Sequence, residues 1–122
     1  MAWWEWGMAA LADTPLDEGA KISVVLLVGG FVRSGAGMMA DLDAAMAATG
    51  DSPQEAMARY GRTLKRLADP ARYPAVARAL EVGVMDEPDD PDHEFRFGLE
   101  RLLDGIEVLI SRTSPRHRPE VE

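Results

Sequence analysis

The chain is 122 residues long, room for one domain at the usual size. Its 13 Lys+Arg stand against 21 Asp+Glu, a net charge of −8, which is the reverse of the basic footprint of a free-standing nucleic-acid binder. There is no cysteine, which excludes disulfides, thiol nucleophiles and Cys-type zinc sites together, and 47% apolar residues allow a real core.

Residues 2–12 read as a helix, with Trp4, Met8 and Leu11 on one face at helical spacing. No basic segment followed by an apolar block marks a targeting signal there. Thr14-Pro15-Leu16-Asp17 predicts an N-cap at Thr14, a Pro in the first turn and an acid behind it. A long helix is expected over 16–48, stopped by Gly50. Its stretch from Ile22 to Val28 is β-branched enough to pass for a strand. The Ala/Met-rich continuation and the lack of a second strand to pair with decide for helix. The apolar run 22–32 is eleven residues, closed by Lys21 and Arg33, against roughly 20 for a bilayer span. A soluble, cytoplasmic protein without membrane contact is therefore expected.

Ser52-Pro53-Gln54-Glu55 is a complete capping box, followed by an apolar stripe of Met57, Tyr60, Leu64 and Leu67. Asp69-Pro70 predicts the start of a shorter helix ending at Gly83. Residues 86–94 carry six acids, two Pro and no Lys or Arg, and read as a solvated loop. A last helix is expected over 93–112, and residues 113–122 as a frayed tail. The fold class is all-α, with about five helices.

Candidate catalytic and metal motifs fail on inspection. Gly30 and Gly35 have the spacing of a phosphate loop, but Ala36 and Gly37 stand where the Lys and the hydroxyl residue belong. The small residues Ser23, Gly30 and Gly37 instead recur every seven along one helix face, where a second helix can approach closely. The acidic loop has no Gly at the turn an EF-hand needs, and His93 has no second His one turn on. Nothing brings a nucleophile, a base and an oxyanion donor together, so neither an enzyme nor a cofactor is expected.

The last helix is more informative. Phe95, Leu99, Leu102, Ile106 and Leu109 step by four and three as a heptad seam, widened by Phe97, Leu103 and Ile110. Gly98 and Gly105 lie seven apart on it. Such a helix must bury two faces, and a small chain covers one, so a second subunit is expected on the other. Gly30, Gly37, Phe95, Gly98, Leu99, Leu102, Leu103, Gly105, Ile106 and Ile110 are the candidates for that contact. Trp3, Trp4 and Trp6 crowd the N-terminus and call for a cavity, a partner or further chain to pack on. A binding site is expected between the Trp helix, the long helix and the Tyr60 helix. Its candidates are Trp3, Trp6, Met8, Phe31, Met38, Met57 and Tyr60, flat or adaptable apolar side chains suited to a small hydrophobic ligand.

Residues 95–107, FRFGLERLLDGIE, resemble the closing-helix motif of the C-terminal domain of tetracycline-repressor-like (TetR family) transcriptional regulators. Residues 4–16 resemble a helix of that domain ending Ala-Leu-x-Asp-x-x-Leu, and residues 17–40 the long helix after it. The resemblance covers about 3–112, so 1–112 is expected to be one regulatory domain. It implies a cytoplasmic homodimer built as a four-helix bundle from the long and closing helices of each subunit. It also implies a small effector bound between helices, and negative control of transcription. Contact with DNA is expected only through a helix-turn-helix domain that this chain has no room for. The alternatives are a stand-alone domain that binds or sequesters a small molecule, and a dimeric helical interaction protein.

Overall fold

A computed structural model describes residues 1–86, 90 and 92–115 of the chain. The described residues form five helices and no strand: α1 (Ala2–Ala10), α2 (Glu18–Thr49), α3 (Pro53–Leu67), α4 (Pro74–Glu81) and α5 (His93–Thr113). Two compact units divide the chain. Met1–Ala36 joins α5 from Glu94 onward in the first, and Gly37–His93 makes the second.

In the first unit, α1 and the start of α2 meet through a glycine and a valine. A Cβ added at Gly7 would sit 2.8 Å from Val25 Cγ2, so only a residue without a side chain lets the helices come this close. Leu16, Val24 and Val25 are the buried apolar residues here. Lys21 is buried with them, and its Nζ donates to Glu18 Oε1 at 2.8 Å. The α5 helix is held to α2 by aromatic stacking: Phe31 and Phe95 lie 5.5 Å apart with planes inclined by 26°. The Phe31 ring fills the notch at Gly98, where a Cβ would come within 2.6 Å of Phe31 Cζ.

The start of α2 departs from the expected cap. Thr14 Oγ1 donates to the Leu11 carbonyl at 2.7 Å and closes the turn after α1. Asp17 caps α2 instead, its Oδ1 accepting from Ala20 N–H at 2.7 Å. A carboxylate three residues before a free N–H satisfies that donor and also meets the positive end of the helix dipole, which a hydroxyl does less well. The apolar character of α2 also extends further than the run 22–32. Gly, Ala and Met carry it past Arg33, and α2 is long and apolar enough to cross a bilayer by length and composition alone.

The second unit holds the end of α2 with α3 and α4. Gly50 and Gly83 adopt φ of +75° and +78°, the left-handed conformation that ends a helix and that glycine enters without steric cost. The capping box forms as expected: Glu55 N–H donates to Ser52 Oγ at 3.2 Å and Ser52 N–H donates to Glu55 Oε2 at 2.8 Å. Gly61 is buried beneath Met85, and Ala77 and Leu80 of α4 are buried too. Lys65 pairs with Asp86 at 2.9 Å, and Arg59 with Asp51.

The shorter helix begins later than Asp69-Pro70 suggests. Asp69 Oδ1 accepts from Ala71 N–H, and the Asp69 carbonyl accepts from Arg72 and Tyr73, which makes a self-contained turn. The helix starts only at Pro74, whose missing N–H costs nothing in a first turn. Of the expected acidic loop, residues 87–89 and 91 lie outside the described residues, while His93 and Glu94 open α5; of the expected tail, Thr113 ends α5 and 116–122 lie outside the described residues.

Candidate functional site

A groove of about 580 Å³ lies in the first unit, within the range of small-molecule sites. The α1 helix contributes Trp3, Trp6, Gly7 and Ala10, with Leu11 just past its end, residues about one turn apart on one face. From α2 come Val24, Val25, Val28, Gly29, Val32 and Ala36, with Arg33 as the only charged side chain. Leu103 and Ile106 of α5 close the lining.

Two features shape it. The small residues Gly7 and Gly29 let side chains of the facing helix, Val25 and Trp3, come against the backbones of α1 and α2. The indole of Trp3 takes the space at Gly29, since a Cβ there would collide with the edge of its six-membered ring, 2.5 Å from Cη2. Trp3 also makes an edge-to-face contact with Trp4, the ring centroids 5.3 Å apart. Trp6 stays 72% exposed, an amphipathic ring at the groove's lip. No cluster of metal-ligating side chains occurs among the described residues. The chemistry the described residues offer is apolar enclosure with one cation beside it.

The expected ligand residues divide between the units. Trp3 and Trp6 line the groove. Met8 is half-buried on α1, outside the lining, and Phe31 is engaged with Phe95 and Gly98. Met38, Met57 and Tyr60 belong to the second unit, where all three are exposed. That unit has a recess of its own, about 350 Å³, between the end of α3 and α4.

The residues expected at a subunit contact also divide. Leu103 and Ile106 line the groove of their own chain. Gly98 receives Phe31 of its own chain, whereas Gly30, Gly37 and Gly105 face open space. Leu99, Leu102 and Ile110 are half-buried, and no residue of α5 is fully buried.

The family model for the tetracyclin repressor-like C-terminal domain matches residues 1–110. The chain belongs to this family. No curated protein and no solved structure matches the sequence. The five helices of this TetR-type domain agree with the all-α architecture the sequence predicts. The match runs through residues of both units.

The sequence points to Trp3, Trp6 and the long helix, but to Phe31 and Met38 on that helix rather than the residues that line the groove, and to the Tyr60 helix rather than α5 as the third wall. A signal was present. Val25, Val28, Gly29, Val32 and Ala36 recur at helical spacing, and Arg33 stands one turn after Gly29.

Proposed function

We propose that this chain is the effector-binding and dimerisation domain of a TetR-family transcriptional repressor, cytoplasmic and regulatory rather than catalytic. The observation that carries the reading is the groove of the first unit: apolar walls on three helices, two indoles and a volume suited to a small molecule. A small hydrophobic effector occupying it would bias the packing of α1 against α2 and α5. A joined helix-turn-helix domain would read that change as release from its operator.

Dimerisation has support of its own. Phe97, Val108 and Leu109 of α5 are 51%, 47% and 41% exposed, a large apolar surface for a helix of a monomer. Pairing α2 and α5 with their copies in a second subunit would cover it. Gly30 and Gly105, open in the single chain, would then admit close helix approach.

The test uses the intrinsic fluorescence of the Trp residues with a panel of planar apolar compounds. Occupancy of the groove should shift or quench the emission and raise the melting temperature. A panel without effect on either overturns the effector-binding reading. A monomer by sedimentation at tens of micromolar, on the order of a weak dimer's Kd, overturns the dimer.

A further inference from the structure

We infer that the ligand of the first-unit groove is an amphiphilic anion: an apolar body with a single carboxylate or similar acid, its charge placed at Arg33. The inference rests on the effector-binding reading above and names the ligand's chemistry.

Among the described residues, Arg33 is the only charged side chain of the lining, and no Asp or Glu lines the groove beside it. Among the described residues its guanidinium takes part in no ion pair or side-chain hydrogen bond. The remaining lining is almost wholly apolar, so a ligand that fills it has one place for a polar group. Arg33 lies one helical turn after Gly29, about 6 Å along the axis, on the side where the Trp3 indole crosses α2. A ligand body lying along α2 beside Trp3 therefore comes alongside the Arg33 side chain. Its guanidinium is a planar fork of donors matched to a carboxylate. A cation in the same position meets like charge with no acid to compensate it. This local preference opposes the overall field, because a protein with net charge −8 attracts cations at long range. Selection for an anion would thus be a signature of Arg33 rather than of the surface.

The experiment compares decanoate, decanol and decylammonium below their micelle concentrations, read by Trp emission of the 122-residue chain, with Arg33→Gln, Arg33→Lys and Arg33→Glu variants. Circular dichroism first establishes that the variants keep their helix content, as substitution of an exposed residue should allow. The expected result is decanoate binding about tenfold tighter than decanol, the discrimination that one hydrogen bond to a charged group supplies, and decylammonium weakest. Arg33→Gln removes the preference for decanoate, Arg33→Lys keeps part of it, and Arg33→Glu turns it toward decylammonium. Equal binding of decanoate and decanol, or a decanoate preference that survives Arg33→Gln, overturns the assignment while leaving the groove an apolar site. No response to any of the three amphiphiles overturns the assignment and the groove's role in binding together.

Discussion

The indole of Trp3 occupies the volume that a side chain at Gly29 would need. The glycine is thus an opening in α2 that seats an aromatic ring from α1, at a cost in helix propensity. Gly29→Ala returns about 1 kcal/mol of propensity and forces the ring out, an overpacking penalty of about 1–3 kcal/mol. Global stability should therefore change little. The sensitive readout is fluorescence: Trp3 moves toward water, its emission shifts to the red, and ligand binding in the groove is lost. An unshifted spectrum would mean that Trp3 does not rest there.

A Cβ at Gly105 would have nothing within 4 Å of it, so a larger side chain there meets no obstacle inside the chain. Gly105→Leu should leave helix content unchanged and raise intrinsic helix propensity by about 1 kcal/mol. If α5 packs against its copy, the same change weakens self-association, by about 1–3 kcal/mol. Sedimentation equilibrium separates these effects; a dimer of unchanged affinity removes Gly105 from the interface.

Phe31 joins α2 to α5 by stacking on Phe95 and filling the notch at Gly98. Its removal takes away both contacts. Phe31→Ala should cost about 2 kcal/mol, less than the full core value because the ring is only half-buried. Thermal unfolding followed by circular dichroism measures it. An unchanged melting temperature would show that α5 is held mainly by other contacts.

Ser52 and Glu55 satisfy each other's backbone donors at the start of α3. Ser52→Ala should lower stability by about 1 kcal/mol. The double variant with Glu55→Ala should cost less than the sum of the two single changes, because each half of the box depends on the other. Urea denaturation of the three variants tests the coupling, and strict additivity would show that the two bonds act independently.

The parts of the fold legible in the sequence are those governed by bonds spanning a few residues. The Ser52 to Glu55 box and the stops at Gly50 and Gly83 are local chemistry, and each stands where the sequence predicts. Where two local solutions compete, sequence spacing did not choose between them. Asp17 rather than Thr14 caps α2, and Pro74 rather than Pro70 opens α4. The groove depended on more distant contacts still. Residues 22–32 are apolar nearly all round, so their periodicity has no phase and does not say which side of α2 faces inward. Packing against α1 and α5 supplies that phase: Val24 and Val25 become buried, while Ile22, Leu26 and Leu27 are left 43%, 54% and 51% exposed. The same rotation sets Gly29 under Trp3 and brings Arg33 beside the groove, a charge whose place no pattern of nearby residues encodes.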